Sequence, residues 1–192
     1  NINLIKYKSK KEIFEKYKIP IDKKICLVTI HPETMSKKSI ENQINGLIRA
    51  ISKKNIFFVI TSPNLDTGGI KMIGLIKKLI KNLKNTKFIE SLGQNDYFNI
   101  LKFCNFVCGN SSSGIIEAPS LGVKTLNIGN RQKGRQSSNQ TINVKNEYNE
   151  ISKGIDKILK MKVEKIVNPY DGGYSSKKIF SVIKNLDSKF YD

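Results

Sequence analysis

Three short segments of this 192-residue chain bring together residue types that do chemistry in combination. The first, Gly109-Asn110-Ser111-Ser112-Ser113-Gly114, sets three hydroxyls between two glycines. Glycines let a backbone turn sharply and approach a ligand closely, and hydroxyls beside the free amides of a helix start suit a phosphate or diphosphate. A helix cap uses one serine, so a run of three exceeds what capping requires. Glu117 lies one helical turn beyond Ser113 on the same expected face. A carboxylate is badly placed against a diphosphate, but it accepts hydrogen bonds from two neighbouring ribose hydroxyls; compensation of the helix dipole is the plainer alternative. The second segment, Gly129-Asn130-Arg131-Gln132-Lys133-Gly134-Arg135, holds two of the chain's three arginines. Clustering of a scarce residue suits phosphate or carboxylate contact, with Arg131 and Arg135 as the candidates. The third, Thr29-Ile30-His31-Pro32-Glu33-Thr34, holds the only histidine. A lone histidine is most often a satisfied polar residue, but His31 follows an apolar run and Pro32 stiffens the turn that aims it.

Other segments carry less. Ser62-Pro63-Asn64, Asp66 and the pair Gly68-Gly69 read as ordinary turn chemistry, although Asn64 could read a base or ribose edge. Cys104 and Cys108 are four apart without a partner pair, so they read as buried thiols; neither a metal nor another cofactor is expected.

The elements that must position these residues follow from apolar periodicity. Continuous branched runs at Ile25 to Ile30 and Ile56 to Thr61 predict strands buried on both faces, with shorter strands at 87–89, 106–108, 124–128 and 141–144. Apolar residues at helical spacing predict helices over 10–18, 39–53, 70–83, 95–103, 112–121, 147–160 and 176–189. Strands alternating with helices predict a doubly wound parallel α/β sheet, with no linker to divide residues 1–192 into more than one domain. Such sheets bind ligands beyond the carboxyl ends of their strands, which is where all three segments fall.

Composition narrows the function. The 34 Lys and Arg exceed the 16 Asp and Glu to give a net charge of +18, yet only Arg49, Arg131 and Arg135 are arginine. Lysine, asparagine and isoleucine are the residues an AT-rich coding sequence over-produces, and a phosphate- or base-reading groove would favour the arginine fork. The charge therefore reads as solvated surface rather than nucleic-acid binding, and tyrosines and phenylalanines fall mostly in expected core stripes or at the termini rather than forming base-stacking platforms. The longest clear apolar run, Ile56 to Ile60, is far short of the ~20 residues that span a bilayer, so no membrane segment is expected. An odd count of three cysteines suggests a reducing, cytoplasmic setting, and a start at Asn1 rather than Met suggests a fragment or processed product.

Taken together, the His31 segment, Ser62-Pro63-Asn64, the serine run with Glu117, and Asn127-Ile128 leading into the arginine segment resemble the hydrolysing UDP-N-acetylglucosamine 2-epimerases of sialic-acid and related nonulosonic-acid synthesis. The ordered match runs over roughly residues 22 to 160. Non-hydrolysing relatives differ after the histidine and in the arginine segment. The resemblance implies a glycosyltransferase B type fold of two Rossmann-like domains, of which this chain would be the C-terminal, nucleotide-binding half, with the N-terminal domain and its catalytic carboxylates absent. It implies that His31, Ser111, Ser112 and Arg131 contact the phosphates of UDP or lie beside them, with His31 the catalytic candidate. Ser113 and Arg135 are further phosphate candidates. Glu117 would hold the ribose, and Asn64 with the backbone near Leu92 would lie near the nucleoside. The implied partners are UDP and a UDP-amino sugar, either UDP-N-acetylglucosamine or a 2,4-diacetamido-trideoxy relative. Half of a nucleotide-sugar glycosyltransferase, a basic nucleic-acid-binding module and a non-catalytic regulatory domain are the rival readings, and a homo-oligomer is open. The closing helix, expected over 176–189, would turn its apolar face either to the core or to the absent domain.

Overall fold

The strands form where branched and aromatic residues run uninterrupted, because a parallel sheet covered by helices buries both faces of each strand. The computed structural model describes residues 2–185 apart from 35, 37, 66, 163, 172 and 174. Ile25–Thr29 (β1), Phe57–Thr61 (β2), Thr86–Ile89 (β3), Phe106–Gly109 (β4), Lys124–Ile128 (β5) and Thr141–Val144 (β6) make one parallel sheet in the order β3-β2-β1-β4-β5-β6. Alternate residues face opposite layers. Cys26, Val28, Phe58, Ile60, Phe106 and Leu126 pack with Ile40–Ser52 (α2), Gly69–Ile80 (α3) and Tyr148–Lys160 (α6). Ile25, Leu27, Phe57, Val59 and Val107 pack with Lys10–Lys16 (α1) and Gly93–Phe103 (α4). Ser112–Ile116 (α5) packs on β4 and β5. The expected doubly wound α/β fold is therefore present. The chain leaves β1 toward one edge of the sheet and β4 toward the other, so their carboxyl ends open a crevice at the topological switch point.

Two helices differ from expectation. The helix predicted over 112–121 breaks after Ile116, leaving a five-residue α5 and a separate 3-10 turn at Pro119–Leu121. The cause is Pro119, which has no N–H to continue the ladder. The Ser113 carbonyl instead accepts from both Glu117 (3.0 Å) and Ala118 (2.9 Å), closing the helix. The last helix, Ser175–Lys184 (α7), buries nothing: Ile179, Phe180, Val182 and Ile183 are 59–67% exposed. Its expected continuation through 186–189, like Asp66 in the turn after β2, lies outside the described residues. Among the described residues no helix is long and apolar enough to cross a membrane.

The segment before β1 is pinned to α4 by one carboxylate. Asp96, in the first turn of α4, accepts from Lys16, from the Tyr17 phenol at 2.8 Å and from Lys8 at 3.3 Å. Beside it Asn95 and Asn99 bind the backbone of Lys6 and Lys8. Burial pushes the Asp96 carboxyl up, but the bonds from Lys16, Tyr17 and Lys8 outweigh it and bring the pKa to about 2. A folded-state pKa below the unfolded one stabilises the protein above the unfolded value and loses that stabilisation as pH falls through the folded value. Asp96→Asn is expected to lower the unfolding free energy by about 1.5–3 kcal/mol at pH 7 in urea titrations. The difference from wild type should shrink below pH ~4 and be largely gone near pH ~2.

Candidate functional site

The site begins where β4 ends against β1. Gly109 has φ +135°, and a Cβ there would stand 2.0 Å from the Thr29 carbonyl oxygen, so only glycine lets the two strands meet this closely. The approach places the next side chain, Asn110, beneath the histidine loop. The His31 N–H donates to the Asn110 side-chain oxygen at 2.7 Å, and the Asn110 amide donates back to the His31 carbonyl at 2.8 Å. The Asn110 carbonyl accepts from the Arg131 guanidinium at 3.1 Å and the Gln132 amide at 2.7 Å. One buried residue thus ties together the loops after β1, β4 and β5. A second tie runs through Glu33, whose carboxylate accepts from the Asn130 N–H at 3.0 Å. Gly129, at φ +76°, makes room for it, since a Cβ would lie 2.1 Å from the Glu33 oxygen. Gln43 holds the same loop from α2, accepting from the Glu33 N–H and donating to the Glu33 and Lys38 carbonyls.

His31 is buried, and its Nδ1 accepts from the Asn64 N–H at 3.1 Å. An accepting Nδ1 puts the proton of the neutral ring on Nε2, which makes His31 a hydrogen-bond donor there. In the serine turn, Ser111 caps α5 by accepting from the Ser113 N–H at 3.4 Å, and Ser112 stands at the first helical position, partly exposed. Ser113 is turned inward: its hydroxyl lies 2.7 Å from the Tyr97 phenol. Glu117 ends α5 with its Oε2 buried and without a hydrogen-bond partner. Burial raises its carboxyl above the ordinary range, opposed by its own backbone amide, by the Ser113 hydroxyl and by the charge of Arg135.

Of the nine candidate residues, His31, Asn64, Leu92, Ser111 and Ser113 line one cleft of about 390 Å³, together with Tyr97. The Leu92 side chain is buried, so only its backbone can meet a ligand. Arg131 reaches this group through the Asn110 carbonyl, and Glu117 stands at the far end of α5. Arg135 lines a separate hollow of about 280 Å³ with Lys133 and Ser137. With only five residues in α5, little macrodipole is available, so an anion at this turn would depend on local N–H and O–H donors. Cys26, Cys104 and Cys108 are buried free thiols, and among the described residues no three metal-ligating side chains converge. Asn110 and Glu33 fall inside the serine and histidine segments but carry no expected role there, and Tyr97 lies outside every segment. The glycine before Asn110 and the phenol on α4 were signals for two of them, and Glu33 had only its place in the histidine segment.

Asn110→Ala removes both partners of the His31 peptide groups in a buried setting. It is expected to cost about 2–4 kcal/mol in chemical denaturation, more than a typical surface asparagine.

Comparison with known proteins adds an independent line. Residues 2–184 match the family model for UDP-N-acetylglucosamine 2-epimerase. A hydrolysing UDP-N,N'-diacetylbacillosamine 2-epimerase of Legionella pneumophila is 32% identical over 95% of this chain and 49% of its own length. Polysialic acid biosynthesis protein P7 of Escherichia coli is 37% identical over 88% of this chain and 46% of its own. Among solved structures, S. aureus MnaA in complex with UDP superposes with a TM-score of 0.71 at 23% identity, over 93% of this chain and 48% of that one. These likenesses support the fold, and the chain spans about half the length of the relatives it matches.

Proposed function

The chain belongs to the UDP-N-acetylglucosamine 2-epimerase family, and from that premise we propose that it is the UDP-binding, C-terminal half of a hydrolysing 2-epimerase acting on UDP-N-acetylglucosamine or a related UDP-amino sugar. In this reading residues 1–192 are a single nucleotide-binding domain of a soluble, cytoplasmic enzyme of sialic-acid or related synthesis. The observation that carries it is the buried, unpartnered Glu117 oxygen one helical turn from the serines beside the His31 cleft. An acceptor without a donor, in a partly buried position, suits a ligand hydroxyl.

The assigned roles follow from chemistry. The ribose hydroxyls donate to Glu117. The nucleoside lies by Asn64 and the Leu92 backbone. The diphosphate takes N–H and O–H donors from Ser111 and Ser112, Nε2–H from His31 and the remaining guanidinium donors of Arg131. Ser113, committed to Tyr97, and Arg135, in its separate hollow, contribute less to the phosphates than their sequence positions suggested.

In the reaction a base removes the C2 proton of the sugar while the C1–O bond to the diphosphate breaks, leaving a C1–C2 alkene and UDP. Water then adds its hydroxyl at C1, and a proton returns to C2 on the opposite face, releasing the 2-epimeric free sugar. This half stabilises the departing diphosphate, where charge develops. The base belongs to the other half, since proton abstraction needs a group positioned at C2. The bare apolar face of α7 suits contact with that other half. Burial of Phe14, Phe57, Phe58, Phe98 and Phe106 supports reading the lysines as surface background rather than a nucleic-acid groove.

Calorimetry on the 192-residue chain is expected to show UDP binding and no turnover of UDP-sugars. Glu117→Ala should weaken UDP about tenfold or more while leaving inorganic diphosphate nearly unchanged. No UDP binding at millimolar ligand, epimerase activity in this chain, or equal losses for both ligands would contradict these assignments.

A further inference from the structure

Arg131 is an exposed side chain on the loop after β5, yet the proposed reaction needs its guanidinium beside His31. An unrestrained arginine spreads over many rotamers, and that freedom is lost when it closes on an anion. Two hydrogen bonds restrict it beforehand. The guanidinium donates to the Asn110 carbonyl at 3.1 Å, and the N–H of the preceding residue, Asn130, donates to Glu33 Oε1 at 3.0 Å. These contacts close a ring. From His31 the chain runs through Pro32 to Glu33, crosses to Asn130 and Arg131, and passes from the guanidinium to the Asn110 carbonyl. The Asn110 side chain returns to the His31 N–H at 2.7 Å and the His31 carbonyl at 2.8 Å. Glu33 is itself held at both backbone groups by Gln43, at 2.8 Å and 3.2 Å. Gly129, at φ +76°, leaves the space its carboxylate occupies, since a Cβ there would stand 2.1 Å from Oε1.

We propose that Glu33 is a positioning residue for Arg131: through the Asn130 N–H it sets the turn that aims the guanidinium at the diphosphate, by the reach of its oxygen and not by its charge. The proposal rests on reading Arg131 as a phosphate contact. Glu33 lines a different hollow, of about 550 Å³, with Lys38 and Lys145, so it acts on the His31 cleft through Arg131 rather than by touching the ligand. Its charge works against an anion nearby, because like charges repel. What the ring uses is an acceptor two methylenes from the backbone, long enough to meet Asn130 across 97 positions of sequence. Charge and reach are separable by substitution. Glu33→Gln keeps an oxygen at the same reach and removes the charge, whereas Glu33→Asp keeps the charge and shortens the side chain by one carbon.

The test is calorimetry of UDP and of inorganic diphosphate on the 192-residue chain and on Glu33→Ala, Glu33→Asp, Glu33→Gln, Arg131→Ala and the double variant Glu33→Asp with Arg131→Ala. Circular dichroism checks that each is folded. Glu33→Ala and Glu33→Asp are expected to weaken UDP roughly three- to tenfold and inorganic diphosphate by the same factor. Glu33→Gln should bind both at least as tightly as wild type. In the Arg131→Ala background, Glu33→Asp should cost nothing further. Where the alanine variant folds badly, the aspartate variant carries the comparison. A Glu33→Gln loss equal to that of Glu33→Asp, a loss confined to UDP, an undiminished loss in the Arg131→Ala background, or no loss in Glu33→Asp would overturn the role of Glu33 alone. Wild type that ignores both ligands, or Arg131→Ala that binds like wild type, would remove the phosphate reading of Arg131 and this inference with it.

Discussion

The side-chain amide of Asn110 reads both sides of one backbone residue, accepting from the His31 N–H and donating to the His31 carbonyl, while its own carbonyl holds Arg131 and Gln132. All of this happens in a buried position, where an unmade hydrogen bond costs more than a made one gains. The loops after β1, β4 and β5 therefore have one low-energy arrangement relative to each other. Gly109 is the condition for it, because any side chain there would collide with Thr29 and lift Asn110 off its partner. Histidine, serines and arginine come from distant parts of the sequence, and this contact is what turns them into one site.

Charge plays a smaller part than a net +18 suggests. Among the described residues most ion pairs join exposed lysines to exposed carboxylates, as Lys71–Glu41 and Lys77–Glu90 do, and such pairs contribute little. Among the described ion pairs the one largely covered carboxylate is Asp96, which gathers three donors and fixes the leading segment to α4, the helix that also carries Tyr97 and opens beside Leu92. In the proposed function the charges that meet the ligand are few: Arg131, held by the Asn110 carbonyl, and Glu117, whose Oε2 is buried without a partner.

Much of this was legible in the sequence because strands and helices write their burial into short-range periodicity. Ile25 to Ile30 and Ile56 to Thr61 could be placed within a residue or two, and with them the loops that hold His31 and Asn64. What short-range patterns cannot carry is pairing between distant residues. The bonds of Asn110 to His31 span 79 positions, and those of Glu33 to Asn130 span 97. The contact of the Tyr97 phenol with Ser113 spans 16 positions and joins α4 to α5. The break after Ile116 had a local signal in Pro119, but the apolar spacing through Leu121 masked it. The bare face of α7 has the composition of a buried stripe, and sequence alone does not say whether the covering surface belongs to the same domain.

A crystal structure of the 192-residue chain soaked with UDP tests the central claim most directly. The expected result is a diphosphate against Ser111, Ser112, His31 and Arg131, with the ribose hydroxyls donating to Glu117 Oε2. A nucleotide seated instead in the Lys133–Arg135 hollow, or one whose ribose leaves Glu117 untouched, would contradict it.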